Sequence, residues 1–79
     1  MHSHPDIETL VKHHIAQFLE LQPDHVHLHT TLYDLGADSF DMVELQAILE
    51  EHLRVQIDEP LPCSITVAML VDACRAVAP

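Results

Sequence analysis

Apolar residues recur at intervals of three and four in three separate segments of this 79-residue chain, the period of helices that bury one face. In the first, Ile7, Leu10, Val11, His14 and Phe18 form a stripe on a helix expected from about Pro5 to Leu19, with Ser3 and Pro5 suited to its start. In the second, a helix starting at Asp38 or Ser39 runs to about Leu53 and gathers Met42, Leu45, Ile48, Leu49 and Leu53 on its core side. The third, roughly Ile65 to Ala76, puts Val67, Leu70, Val71 and Cys74 on one face, with Ser64 or Thr66 able to cap it. Strand alternation competes only at Val26 to His29. The spacing predicts an all-α fold, a small bundle of three to four helices.

The connections are unequal. Pro23 closes the first helix and opens a long polar loop, Gln22 to Leu35, that is threonine-rich and without helical period. Gly36, the sole glycine, stands just before the second helix, where a turn with unusual backbone angles is useful. Val55 to Pro62, β-branched and proline-containing, reads as loop with room for one short helical turn.

A chain of this length suits one compact domain, here residues 1–79 with a core over about 7–76. Substrate pocket, cofactor cradle and catalytic apparatus do not all fit, so partners must supply most of any chemistry and no catalytic residue is expected. Thirteen acidic residues against three basic ones give a net charge of −10, which repels nucleic acid and anionic lipid and attracts basic protein surfaces. The 48% hydrophobic content, periodically arranged, argues against disorder. Cys63 and Cys74 have no metal or redox spacing, Met1 to Asp6 has no apolar signal region, and no apolar run is long enough to span a membrane. A cytoplasmic monomer with both thiols free is the expectation.

The second helix has a second message. Phe40, Val43 and Ala47 project opposite its core side, interleaved with Glu44 and Glu51. A helix apolar on both sides is either fully buried or shows one stripe to a partner, and the carboxylates disfavour burial. A docking surface for a basic partner follows: Asp38, Asp41, Glu44 and Glu51 steer encounter, while Phe40, Val43 and Ala47 fix register. A solvated acidic face with stray apolar residues has equal weight on spacing alone.

Ser39 taken by itself reads as a helix cap, worth about 1 kcal/mol. Nothing in the chain supplies the base and oxyanion hole of a serine enzyme, so a reaction at Ser39 takes place in another protein's active site. The run Leu35-Gly36-Ala37-Asp38-Ser39, followed by Asp41-Met42-Val43-Glu44-Leu45, resembles the modification motif of acyl carrier proteins of fatty acid and polyketide synthesis. The likeness extends over about Ile7 to Ala76, through Thr31-Leu32-Tyr33-Asp34 and the closing Thr66-Val67 helix. Phe40 departs from it, standing where the family usually has leucine or methionine, as do Pro60 and Pro62 in the last loop.

The resemblance implies a bundle of acyl-carrier type with a long first loop. It implies that Ser39, flanked by Asp38, carries a 4′-phosphopantetheine arm taken from coenzyme A by a phosphopantetheinyl transferase. The arm's thiol holds acyl groups as thioesters for acyl-transferring and synthase enzymes. A helix start favours an adjacent phosphate, and Asp38 and Asp41 oppose it locally. An acyl chain sheltered inside so small a core requires the helices to part. Leu-Gly-Ala before Asp-Ser favours an acyl over a peptidyl or aminoacyl carrier. The competing class is an acidic interaction module with an unmodified Ser39.

Eight histidines suggest metal, above all His25, His27 and His29, which share a face if extended. No Cys-x-x-Cys or His-Glu-x-x-His spacing accompanies them, so no metal site is expected. Their titration near pH 6.5 predicts weaker association with basic partners as pH falls from about 7.5 to 6.

Overall fold

A computed structural model describes residues 6–77. Helix α1 spans Ile7–Leu19, a single 3₁₀ turn covers Pro23–His25, α2 spans Ser39–Leu53 and α3 spans Val67–Val77. Both other helices pack against α1. Ser3 and Pro5, read as the start of the first helix, lie outside the described residues. Among those described, the extended pairing is one isolated antiparallel bridge between Thr31 and Thr66.

The core faces follow the three-and-four spacing with one correction. On α1 the fully buried positions are Val11, Ile15 and Ala16, while Ile7, Leu10, His14 and Phe18 are half-buried at its margin. The stripe read from sequence was therefore centred too far round the helix. On α2, Met42, Leu45, Leu49 and Leu53 are buried and Ile48 is half-buried. On α3, Val67, Leu70, Val71 and Cys74 are buried. α2 is the least amphipathic of the three, as apolar residues on both faces require.

The helix ends have identifiable causes. Glu20 and Arg54, both left-handed at φ 58° and 57°, terminate α1 and α2. The cap of α3 is Thr66, whose Oγ1 accepts from the Met69 amide at 3.1 Å, which leaves Ser64 outside the helix. The extra helical turn comes at Pro23–His25, with proline at its start, and not in the segment from Val55 to Pro62, which is without helix.

The long loop is tied down at its far end. Leu32 N–H donates to the Ile65 carbonyl at 3.0 Å, Tyr33 N–H to Cys63 at 2.9 Å, and Val67 and Ala68 N–H to Thr30 and Leu28. With Val26 and Leu32 buried, these bonds fix the chain that leads into α2 against the start of α3.

Candidate functional site

The start of α2 is built by a tight turn and a reciprocal cap. Leu32 C=O accepts from Leu35 and Ala37, and Tyr33 C=O accepts from Gly36 at 3.0 Å. The turn needs φ +103° at Gly36, a value that L side chains rarely adopt. Ala37, buried in the core, anchors the next step. Asp38 Oδ1 then accepts from the Asp41 amide at 2.9 Å, and Asp41 Oδ2 accepts from the Asp38 amide at 3.0 Å. This is a capping box with aspartate at both ends.

That arrangement decides what Ser39 is. The cap is Asp38, so Ser39 is the first residue of the helix, exposed, and its hydroxyl makes no hydrogen bond among the described residues. The amides of Ser39 and Phe40 are likewise without an acceptor among the described residues. A free hydroxyl thus stands beside two free N–H donors at the positive end of a helix dipole, where an attached phosphate is favoured. The two aspartates that oppose an anion here have turned oxygens onto backbone N–H groups, which takes up part of their negative charge.

The second face of α2 is open to solvent. Phe40 is 81% exposed and Val43 67%, and Ala47, Glu44 and Glu51 are exposed beside them. Asp41 is half-buried, and the oxygen it gives to the cap is not free for a partner. The three basic residues lie elsewhere: Lys12 pairs with Glu8 at 3.4 Å, Arg75 pairs with Asp6 at 3.3 Å, and Arg54 follows the end of α2. The charged residues of α2 from Phe40 to Glu51, among which the apolar patch lies, are therefore all carboxylates. Tyr33, named in the sequence only as part of the family likeness and given no role there, is 70% exposed in the turn before Gly36.

His25 lies in the 3₁₀ turn, while the His27 and His29 rings stack at 6.0 Å. No group of three or more potential metal ligands occurs among the described residues. Of His13 and His14, the second packs on His52 of α2 with ring centroids 4.8 Å apart. Burial, then His52 and His13, hold its imidazole below the ordinary value. Burial alone pushes the Cys74 thiol up. No helix among the described residues is long and apolar enough to cross a membrane.

A family model described as "Phosphopantetheine attachment site" matches residues 9–74. The chain is 35% identical over 76 residues to acyl carrier protein 3 of Ralstonia nicotianae, covering 94% of this chain and 87% of that protein. It is 42% identical over 50 residues to the acyl carrier protein of Campylobacter fetus, covering 62% and 65%. It is also 27% identical over 77 residues to microperfuranone synthase of Emericella nidulans, covering 90% of this chain but 8% of that one.

Proposed function

Because this chain belongs to the phosphopantetheine-attachment family of acyl carrier proteins, whose prosthetic group is covalent 4′-phosphopantetheine, we propose that Ser39 is the attachment residue. The observation that carries the assignment is the Asp38–Asp41 capping box, which relieves Ser39 of any structural task and leaves its hydroxyl exposed. The residues present fit the group: the Ser39 and Phe40 amides are available to its phosphate, and Ser39 is exposed. When bound, the arm supplies a thiol that holds an acyl group as a thioester.

The chain's own residues then do three things. The Gly36 turn and the bonds from Leu32 and Tyr33 hold the attachment point rigidly at the bundle's edge. The carboxylates of Glu44 and Glu51 draw in basic partner surfaces, and Phe40, Val43 and Ala47 seat in an apolar socket and set register. The partners of this reading are a phosphopantetheinyl transferase and the acyl-transferring and synthase enzymes of a fatty acid or polyketide type system. The chain acts as one cytoplasmic, monomeric carrier unit without turnover of its own.

The test is intact-mass measurement after incubation with coenzyme A, magnesium and a broad-specificity phosphopantetheinyl transferase. One phosphopantetheine added to the wild-type chain, and none to Ser39→Ala, is the expected result. No addition to the wild type leaves the interaction module with an unmodified serine.

A further inference from the structure

The packing of α1 on α2 gathers histidines that no spacing in the chain announces. His14 of α1 and His52 of α2 have ring centroids 4.8 Å apart with planes inclined by 29°, and His13 stands 5.3 Å from His14. The backbone beneath each ring of the pair is fixed by the core, because Ile15 and Leu53, the next residue in each helix, are buried. His14 is half-buried and His52 is exposed, so the pair is reachable from solvent. Among the described residues, none of the three imidazoles takes part in a hydrogen bond or an ion pair. Their nitrogens are uncommitted.

The spacing of His14 and His52 suits one shared metal ion. A metal–nitrogen bond of about 2.0–2.1 Å puts each ring centroid about 3.2 Å from the ion, so two imidazoles at about 90–110° have centroids about 4.5–5.2 Å apart. The observed 4.8 Å falls inside that window, and the exposed His52 ring can turn to aim a nitrogen at the ion. Imidazole selects borderline ions such as zinc, copper and nickel over magnesium and calcium, which take oxygen. No third side-chain ligand joins the pair among the described residues, so water completes the coordination sphere. The net charge of −10 draws divalent cations to the surface. Of the nearby cations in the sequence, Lys12 is engaged with Glu8 at 3.4 Å. Arg54, two positions after His52, opposes an added cation, and Glu51 just before His52 favours one.

We propose that His14 and His52 form a two-histidine site for a zinc-class divalent ion, and that the ion clips α1 to the C-terminal end of α2. His52 lies about 20 Å along α2 from Ser39, so the site goes beyond the carrier reading and stands whether or not Ser39 is modified. The ion adds an interhelical link where α2 ends at the left-handed Arg54 and the helix-free segment from Val55 begins. Because it binds the packed pair and not separated helices, it stabilises the folded chain by mass action.

The experiment titrates the full chain with zinc chloride, and separately with magnesium chloride, at about pH 7.5, where imidazoles are largely neutral. Wild type, His14→Gln, His52→Gln and His27→Gln are compared. Two quantities are read: the histidine ring-nitrogen resonances by NMR, and the thermal unfolding midpoint. One equivalent of zinc should shift the rings of His14 and His52 together, and saturating zinc should raise the wild-type midpoint by about 5 °C or more. EDTA should reverse the rise. His52→Gln, which changes an exposed side chain and is checked for folding by circular dichroism, should weaken zinc binding at least about tenfold and remove most of the rise. His14→Gln should do the same, and His27→Gln should behave as wild type. Magnesium, held by carboxylates, should act alike in all four proteins and raise the midpoint less.

Zinc that shifts the rings of other histidines and leaves those of His14 and His52 in place overturns the site. A rise of equal size in wild type and His52→Gln, its loss in His27→Gln, or a wild-type rise that magnesium matches does the same. A wild type that zinc fails to stabilise overturns the clip. If His14→Gln does not fold, His52→Gln decides alone.

Discussion

The imidazole of His14 on α1 lies 4.8 Å from that of His52 on α2, centroid to centroid, with the planes inclined by 29°. His13 stands edge-on to His14 at 5.3 Å, and His52 and His13 are the neighbours whose charge disfavours its proton. Of the charged residues on α3, Arg75 is engaged with Asp6 and Glu8 and Asp72 is exposed. A proton on His14 is therefore disfavoured first by partial burial and then by two like-charged neighbours.

The sign of the pH dependence follows. With its folded value lowered, His14 contributes stability that is fully present above the ordinary imidazole range and is lost as pH falls below about 6.5, where the unfolded chain takes up the proton first. Urea unfolding between pH 7.5 and 5.5 should show a smaller loss on acidification for His14→Gln than for the wild type. His52→Gln should recover only part of the difference, because burial is the larger cause. Identical pH slopes for wild type and His14→Gln would dismiss the claim.

Adjacent residues at the start of α2 should respond oppositely. Ser39→Ala removes a hydroxyl without a partner and should change stability by less than about 0.5 kcal/mol while abolishing modification. Asp38→Ala opens the capping box and should cost about 1 kcal/mol. Urea midpoints combined with intact mass separate the two. A large stability loss in Ser39→Ala would mean that the serine has a structural role.

How much of this was legible beforehand differs by element. The bounds of α2 were, because the Asp-Ser boundary, the apolar spacing up to Leu53 and the lone glycine all agree. On α1 the pattern was ambiguous, since Ile15, Ala16 and Leu19 offer a second apolar set beside Ile7, Leu10, Val11 and Phe18, and the centre at Ile15 and Ala16 is fixed by packing against α2 and α3. The 3₁₀ turn had a signal in Pro23 that was read only as a helix stop. The hydrogen bonds from Gln46 and Glu50 to Ile57 and Leu61 had none: both look like ordinary solvated helix residues until the loop returns from 7 to 15 positions away. The free hydroxyl of Ser39 was also invisible, because spacing does not say which of two neighbouring cap-forming residues takes the cap.

Gly36 gives a purely backbone test. A Cβ built there meets nothing within 4 Å, so a side chain has room and the cost of one comes from φ +103° alone. Gly36→Ala should destabilise the chain by about 1–3 kcal/mol and also lower the rate of modification, since the turn aims the start of α2. Thermal unfolding and time-resolved intact mass are the measurements. A stable variant modified at the wild-type rate would show that the turn tolerates another conformation.

The exposed face of α2 should separate encounter from retention. Glu44 and Glu51 lie in solvent near an apolar patch and form no ion pair among the described residues. Glu44→Lys or Glu51→Lys should therefore lower the association rate with a phosphopantetheinyl transferase, by roughly tenfold together at low salt and much less at high salt. Phe40→Ala removes a bulky side chain expected to be buried only in the complex. It should raise the dissociation rate roughly fivefold or more, with little salt dependence. Stopped-flow binding at two ionic strengths reads both rates. If all three variants change only the association rate, Phe40 is a stray surface residue and the face acts by charge alone. If none changes either rate, the transferase docks elsewhere, and the apolar and acidic stripe opposite Leu45 and Leu49 is simply solvated.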